Sequence, residues 1–254
     1  MSNETGRATG PRAYEAVLAS VEADLRAGRL SIGDRLPGER ALSEQHGISR
    51  ASVRDAIRIL EVMGLVRTGV GSGPSSGTVL ISNPSAGLSS TLRLHVASQH
   101  LPVADIVQAR ILLETWAAAA AVDARPIDDG SLARAAELLA LMDDPGLERE
   151  EFHSLDSQFH VLLSTMAGNA VVSAMMDSLR LSIMDYVRNS VTTDEQWEPV
   201  ADTLRAQHHH ILDAVTAGDG PLAARLLREH IEWFFTETSH VHSPAATAEV
   251  PPQA

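Results

Sequence analysis

Four side chains in the second half of the chain combine the residue types and the spacing that a buried metal site requires. Asp156 and His160 are four positions apart, so they lie on one face of a helix, beside its apolar stripe. Three histidines occupy positions 208–210, and the apolar residues that follow turn the first of them, His208, towards the inside of its helix. His230 shares a face with the apolar residues of the last predicted helix. The sequence therefore predicts that these four side chains point into one helical core.

One carboxylate and three imidazoles on facing helices suit Zn²⁺, Ni²⁺ or Mn²⁺ and leave coordination positions open, and zinc is the ion we expect first. The chain has no cysteine, which excludes disulfides, iron–sulfur clusters and thiolate zinc sites. Taken singly, each inward histidine is better explained as a hydrogen-bonded residue of the core. The three histidines at 208–210 are, on their own, also explained as a run exposed to solvent. A shift of register would also bring His209 or His210 inwards. The order and spacing of the whole set favour the metal site.

A second set of chemically active residues lies near the N-terminus. Arg50 and Arg54 are four positions apart at the start of a predicted helix, so they share a face and precede its apolar stripe. The guanidinium fork of arginine matches O6 and N7 of guanine. This helix can therefore enter a major groove of DNA, and the alternative is that both arginines are solvated surface charges.

The elements that must position these arginines are three short helices. Apolar spacing predicts a first helix over residues 14–25. The second helix ends at Gly47, a residue suited to the left-handed position after a helix. Ser49 can cap the third helix, which Gly64 closes. Two short helices joined by a tight glycine turn predict a helix-turn-helix.

The pattern changes after the third helix. Residues 65–68 and 78–81 predict two strands of a β-hairpin with a long tip rich in Gly, Ser and Pro, and residues 83–90 predict a linker. The remainder is helical almost without interruption and has no convincing strand signal. We predict helices near residues 88–99, 103–123, 128–142, 148–167, 170–189, 197–217 and 219–239.

The fold that follows is an N-terminal winged helix-turn-helix domain of α+β class over residues 11–82, then an all-α antiparallel helical bundle over residues 91–240, with residues 241–254 as a disordered tail. A chain of 254 residues is long enough for two such domains. No stretch approaches the roughly 18 apolar residues of a transmembrane helix, and residues 1–12 lack the apolar core of a signal peptide. We therefore expect a soluble, cytoplasmic protein with no membrane partner.

The net charge of −13 argues against DNA binding until it is divided along the chain. Residues 1–82 carry ten Arg against nine Asp and Glu, a net charge of +1, whereas residues 83–254 carry ten Arg against twenty-four Asp and Glu, a net charge of −14. Every cation is arginine, which suits bidentate contacts with phosphate and guanine, although a compositional bias of the genome explains it equally well. Nucleic acid, if bound, meets the first half.

The helix-turn-helix region resembles a known family. The run GDRLPGERAL at residues 33–42 and the run GISRASVRDAIRIL at residues 47–60 are similar to the signature of the GntR family of bacterial transcription regulators. The resemblance implies that double-stranded operator DNA is the partner and that a wing glycine, here Gly71, approaches its backbone. The wing of this chain is longer than the short Gly-x-Gly turn usual in the family. The other operator contacts that the resemblance implies are Arg40, Ser49, Arg50, Ser52 and Arg54.

From about Ile106 to His230 the chain resembles the FCD type of effector domain, which follows the winged domain in the FadR subgroup of this family. The matching segments are RILLE at 110–114, DSQFH at 156–160, GN at 168–169, HHHILDA at 208–214 and GD at 218–219. The resemblance implies a divalent metal ion held by Asp156, His160, His208 and His230. It also implies that Arg110 faces the pocket and binds an acidic effector, for which its fork is suited. The alternative role of Arg110 is a salt bridge to Glu114, four residues on.

These inferences predict a homodimeric transcription regulator, not an enzyme, whose affinity for operator DNA changes when a small carboxylate effector binds. One alternative is a metal-dependent hydrolase in which the Asp/His₃ site activates water, although no evident general base accompanies the ligands. Another is a DNA-binding module with a purely structural metal. The small residues 117–121 allow close helix packing, either inside the bundle or between subunits.

Overall fold

The computed structural model describes residues 13–69, 77–124, 129–191 and 193–239. Its contacts divide the chain into two compact units, and the boundary along the sequence falls between Leu88 and Ser89. In chain order the elements are α1 (Ala13–Arg26), α2 (Glu39–His46), α3 (Arg50–Val62), β1 (Val66–Gly69), β2 (Gly77–Leu80), α4 (Pro84–Ala97), α5 (Val103–Ala124), α6 (Asp129–Met142), α7 (Arg149–Met166), α8 (Ala170–Ser182), α9 (Met184–Ser190), α10 (Asp194–Thr216) and α11 (Gly220–Ser239).

The first unit packs α1, α2 and α3 around one apolar core, as the sequence predicts. The inward residues of α3 recur at helical spacing and are buried with Val17 and Val21 of α1 and Leu42 of α2. Gly47 turns the chain between α2 and α3 at φ 64° and ψ 30°, and its N–H donates to the carbonyl of Ser43. The tight turn fixes the start of α3.

Strands β1 and β2 form the antiparallel hairpin of the wing, with Val66 opposite Leu80 and Gly69 opposite Gly77. The chain before α2 adds a short extended pairing to the other edge of β2, where Leu36 donates its N–H to the carbonyl of Thr78. The predicted N-terminal winged helix-turn-helix is therefore confirmed. The wing tip, residues 70–76, lies outside the described residues, as do residues 1–12 and 240–254.

The predicted linker at residues 83–90 is wrong in its conformation, because helix α4 begins at Pro84. Proline is favoured in the first turn of a helix, since the N–H that it lacks has no helical partner there. Asn83, just before α4, donates its N–H to the carbonyl of Gly64 and so joins the chain to the end of α3. The run Asn-Pro-Ser at residues 83–85 is common both in loops and at helix starts, so the sequence could not distinguish a linker from the start of α4.

Helices are the regular secondary structure of the second unit throughout its described residues, which confirms the predicted all-α domain. Its largest core is lined by apolar residues of α5, α6, α7, α10 and α11. The small-residue stretch on α5 packs inside this unit, because a Cβ on Gly220 of α11 would lie 3.2 Å from the backbone of Ala119. The close approach of α5 and α11 brings Arg110 and His230 into the same region.

The single helix predicted over residues 170–189 is two helices, α8 and α9, which separate at Ile183. Ile183 takes φ −109° and ψ 9°, outside the helical region, and its side chain is buried. The hydroxyls of Ser178 and Ser182 donate to the carbonyls of Ala174 and Leu179, a local bonding that competes with the helical ladder. Apolar periodicity continues across the break and therefore could not reveal it.

Replacing Gly64 with alanine is expected to destabilise the N-terminal unit strongly. Gly64 has φ +73°, and an added Cβ would lie 1.9 Å from the carbonyl oxygen of Asn83, so the backbone must move. Gly47→Ala is the matched control, because Gly47 has φ +64° but no atom within 4 Å of the added Cβ. We expect Gly64→Ala to lower the free energy of unfolding by about 1–3 kcal/mol more than Gly47→Ala does. Equal losses in chemical denaturation would contradict the crowding.

Candidate functional site

The three arginines of the helix-turn-helix candidate surface all lie in solvent. Arg40 on α2 pairs with Glu44 at 2.9 Å, and Arg54 on α3 pairs with Glu39 at 3.3 Å. Arg50 begins α3 and is exposed. Exposed ion pairs contribute only about 0–1 kcal/mol, so Arg40 and Arg54 can exchange their carboxylate partners for a phosphate or a base edge at little cost.

The two serines of the candidate surface organise the start of α3. The Ser49 hydroxyl accepts the N–H of Ser52 at 3.1 Å, which makes Ser49 the N-cap, and the two hydroxyl oxygens lie 3.0 Å apart. The N-terminus of α3 therefore brings backbone N–H groups, two hydroxyls and Arg50 together, a combination that suits a phosphate. Gly71, the wing residue carried over from the family, lies outside the described residues.

The predicted metal ligands come together in the second unit. One ligand atom from each of Asp156, His160, His208 and His230 lies within 4.8 Å of the other three. Helix α7 supplies the first two, α10 the third and α11 the fourth. The three histidines are 0–4% exposed, and the side chain of Asp156 is 15% exposed. Spacing on three separate helices therefore produces one compact donor set.

The imidazoles of His160 and His230 each make a hydrogen bond through Nδ1, and this bond determines that the lone pair lies on Nε2. His160 Nδ1 lies 2.5 Å from Glu114 Oε2 and donates to that carboxylate, and His230 Nδ1 lies 2.8 Å from Gln207 Oε1 and donates to that amide oxygen. Each Nε2 then carries a lone pair, yet the two Nε2 atoms are only 3.1 Å apart. Two lone pairs at this distance repel unless a proton or a cation lies between them, so the contact fits a metal site.

His208 supports the same conclusion from the other side of the cluster. The ring is fully buried, yet among the described residues neither of its nitrogens makes a well-aligned hydrogen bond, although Nε2 has a carboxylate oxygen within reach. Its Nε2 lies 3.1 Å from Asp156 Oδ1, and His160 Nε2 lies 3.5 Å from the same oxygen. Donor atoms that share a divalent ion at about 2.0–2.1 Å are themselves separated by roughly 3.0–3.4 Å. The observed spacings and the donor types therefore fit a first-row divalent cation.

The neighbouring histidines settle the register within the described structure. His209 is exposed and lies 2.9 Å from the carboxylate of Asp143, and His210 is exposed as well. His208 alone of the three faces the cluster, which agrees with the position of the apolar residues that follow it on α10.

Sequence reasoning missed most of the charged network that surrounds the cluster. Glu114 is buried on α5 and lies 3.0 Å from Arg110 Nε as well as 2.5 Å from His160 Nδ1. Arg180 on α8 is also buried and contacts Asp156 Oδ2. The sequence pattern indicates Glu114 only as a partner for Arg110, and it gives no indication of a role for Arg180. The available signal was an arginine beside the apolar positions of a predicted core helix.

The electrostatics of this network favour charged carboxylates on Glu114 and Asp156 and neutral imidazoles on His208 and His230. Burial alone would raise the pKa of Glu114 and of Asp156, but the hydrogen bond with His160 and the charges of the nearby guanidinium groups outweigh it and hold both pKa values well below their usual range. Burial lowers the pKa of His208 and of His230. Deprotonated carboxylate and neutral imidazole are the forms that bind a metal ion.

A small cavity of about 30 Å³ adjoins the cluster. Asp156, His160 and His230 line it, together with Arg110 from α5 and Arg180 from α8. Larger surface grooves elsewhere in the unit have no contact with these residues among their described linings. The cavity that touches the candidate ligands is therefore narrow, and two guanidinium groups face it.

Each of the two units of the chain matches a known protein family. Residues 105–232, half of the chain, match the family model described as "FCD domain", and residues 13–74 match the model "Bacterial regulatory proteins, gntR family". The chain belongs to the GntR family of bacterial regulatory proteins. Its second unit is an FCD domain.

Named relatives agree with this assignment over most of the chain. The HTH-type transcriptional regulator LutR of Bacillus subtilis is 26% identical over 82% of this chain and 92% of its own length. The Uxu operon regulator of Haemophilus influenzae is 29% identical over 87% of this chain and 80% of its own length. The solved structure of a Streptococcus agalactiae GntR protein covers 90% of this chain and 100% of its own at a TM-score of 0.62 and 21% identity, and supports the fold.

These relatives are transcriptional regulators, so the GntR-family chain is a DNA-binding transcription regulator rather than an enzyme. Neither the family models nor the relatives support the hydrolase alternative. Among the described residues no helix is long and apolar enough to cross a membrane.

Proposed function

We propose that this regulator binds operator DNA as a homodimer in the cytoplasm, and that a small carboxylate effector in a metal-containing pocket of the FCD domain changes its operator affinity. The observation that carries this proposal is the meeting of four ligand side chains within 4.8 Å beside a cavity that two arginines line. A purely structural metal would need neither a cavity beside it nor two arginines lining that cavity.

Asp156, His160, His208 and His230 would hold the ion, with zinc expected first and nickel or manganese as alternatives. Four protein donors leave room in the coordination sphere of such an ion for an oxygen of an acid. When bound, the ion supplies a Lewis-acidic contact that strengthens carboxylate binding. Glu114 and Gln207 support the site by holding the rings of His160 and His230 in the tautomer that turns Nε2 inwards.

Formal charges also favour an acidic effector. Glu114 and Asp156 are each in contact with a guanidinium group, of Arg110 and Arg180 respectively, so these four groups carry no net charge together. A divalent ion adds two positive charges to a buried site, where an unbalanced charge is costly. An anion in the adjoining cavity restores the balance.

Arg110 is the residue that we expect to anchor the acid. Its Nε makes the hydrogen bond to Glu114, so a salt bridge to Glu114 is compatible with a role of Arg110 in the pocket. The guanidinium lines the cavity, and its side chain is only 9% exposed. Because the bond to Glu114 already fixes the guanidinium of Arg110, its remaining N–H groups can bind an acid without further loss of side-chain conformational freedom.

DNA contact is proposed through Arg40, Ser49, Arg50, Ser52, Arg54 and Gly71. In a homodimer the two copies of α3 would read two half-sites, so the operator is expected to be palindromic. The effector changes operator affinity only if it binds more tightly to one arrangement of the two DNA-binding domains than to the other.

The test is a titration of operator binding with short carboxylic acids on metal-loaded protein, followed by fluorescence anisotropy. At least one acid should change the operator Kd of the wild type by about fivefold or more, the usual size of allosteric coupling. Arg110→Lys keeps a cation beside Glu114 but lacks the fork, and should reduce the response at least about tenfold in acid concentration. Metal content and acid-free operator affinity serve as controls.

A protein whose operator affinity no acid alters, although it holds metal and binds DNA, would leave the metal as a structural element. A full response in Arg110→Lys would remove Arg110 from the effector site.

A further inference from the structure

Helix α5 is apolar around its whole circumference, although one of its sides lies in solvent. Ile106, Val107 and Ile111 are buried in the second unit, whereas Leu112 is 68% exposed and Trp116 is 47% exposed. A helix that is apolar on every side is normally buried on every side. The side of α5 that carries Leu112 and Trp116 therefore lacks a covering element among the described residues.

Helix α8 adds two further apolar side chains that lie in solvent. Val171 is 68% exposed and Met175 is 43% exposed, and they are four positions apart on one face of α8. The residues that directly follow the four exposed ones pack together between α5 and α8, and they are Leu113, Ala117, Val172 and Met176. The exposed residues therefore lie next to the contact between the two helices.

All four exposed side chains lie on the same side of this contact. One step along a helix turns the side chain by about 100°. Glu114 follows the packed row of α5 and Arg180 follows that of α8, and a nitrogen of the Arg180 guanidinium lies 3.9 Å from the Glu114 carboxylate. Positions after the packed rows thus meet on one side, so the positions before them share the other. We call Leu112, Trp116, Val171 and Met175 the α5–α8 face.

The size of the α5–α8 face is unusual for a monomer. Soluble monomers rarely expose a contiguous apolar patch larger than a few hundred Å², and a larger patch marks an interaction site. Four large side chains that are each 43–68% exposed offer together on the order of several hundred Å². A stable dimer buries roughly 800 Å² per partner, so the face is large enough to form the apolar centre of such an interface.

The distribution of charge indicates which partner fits the α5–α8 face. The charged residues in the middle of α5, Arg110 and Glu114, are buried, and the charged residue of α8 before Arg180 is Asp177, which lines a groove that α6 and α7 share. The face itself therefore carries no charge. Residues 83–254 have a net charge of −14, so two copies of this chain repel each other unless they meet at an uncharged surface. A second copy is also present whenever the protein is, as a permanently exposed apolar face requires.

We propose that two copies of this chain associate through the α5–α8 face, around a two-fold axis. This rests on the proposed function, because it names the surface that forms the proposed homodimer. A two-fold contact uses the same patch on both copies, so each of the four side chains is buried twice in the dimer. The face lies across the α5–α8 contact from Glu114 and Arg180, so the partner and the cavity occupy different sides of the same two helices.

The experiment measures the dimer Kd of the full-length, zinc-loaded protein by sedimentation equilibrium over a series of concentrations. Leu112→Glu and Val171→Glu, one on each helix, should each raise the dimer Kd at least about 100-fold, because the symmetry places two charges in an apolar contact. Leu141→Glu is the matched control. Leu141 is 50% exposed on α6, which packs against α7 and α10, and this variant should stay within about threefold of the wild type. All three positions are exposed, so circular dichroism and zinc content should match the wild type.

The other outcomes overturn separate claims. A dimer that both Leu112→Glu and Val171→Glu leave intact would remove the α5–α8 face from the interface, while the proposed homodimer stands. An equal loss of dimer in Leu141→Glu would mean that added negative charge alone separates the copies, and would also overturn the assigned face. A wild type that stays monomeric over the whole series would overturn the homodimer of the proposed function together with this interface.

Discussion

Arg50→Ala is expected to abolish specific operator binding while the fold stays intact. Arg50 begins α3 and is exposed, and the structure gives it no role in the core of the N-terminal unit. A bidentate contact between arginine and a base edge contributes about 1–3 kcal/mol of discrimination. A homodimer would lose the contact twice, so the operator Kd should rise by about 30-fold or more.

The matched control is Arg26→Ala. Arg26 is also an exposed arginine of the first unit, and it ends α1, where it pairs with Glu22 on the same helix. Both variants remove one positive charge, so a purely electrostatic loss would affect them alike and would follow the salt concentration. Operator gel shifts and anisotropy should instead separate them. An operator Kd for Arg50→Ala within threefold of the Arg26→Ala value would refute the assigned reading helix.

The DNA-binding half was predictable because its signals are local. Gly47 needs a left-handed conformation to join α2 to α3, and Ser49 caps the helix that follows, so the residues themselves mark the turn. The hairpin was predictable from two runs of β-branched residues around a Gly-rich tip. The start of α4 was missed because Pro84 is as common in a loop as in a first helical turn.

The candidate metal ligands were predictable because the spacing of apolar residues along a helix shows which side chains point towards the core. A spacing of four places Asp156 and His160 side by side, and the apolar residues after His208 tell which of three histidines turns inwards. Their convergence was not visible in spacing alone, since it depends on how α7, α10 and α11 pack. The family resemblance supplied that step, and the distances of 3.1–3.5 Å between donor atoms agree with it.

The surrounding network could not be predicted from spacing. Glu114 joins Arg110 on its own helix to His160, which is 46 positions away in the chain. Arg180 contacts Asp156 because α8 packs against α7, and the spacing within either helix does not show this. Contacts of this kind arise from tertiary packing, so the residues that tune the site were harder to identify than the ligands.

His208→Ala is expected to lower the affinity for the metal ion by at least about 100-fold, because it removes one of four donors from the cluster. His209→Ala is the matched control. It removes the next histidine of the same run, an exposed side chain whose partner is Asp143. Metal content of the purified variants, measured by mass spectrometry, should be close to one ion per chain for the wild type and His209→Ala and close to zero for His208→Ala.

Thermal unfolding gives an independent measure of the same prediction. An ion at one hundred times its Kd stabilises the folded state by about 2.7 kcal/mol, which raises the Tm of a unit of this size by roughly 5–10 °C. The comparison is the shift that zinc produces in each variant, since the buried imidazole also contributes to the Tm without metal. His209→Ala should keep the full shift, and His208→Ala, with an affinity at least about 100-fold lower, should show at most about a sixth of it. A zinc-dependent shift of wild-type size in His208→Ala would mean that the cluster is a hydrogen-bonded core and that the ion binds elsewhere.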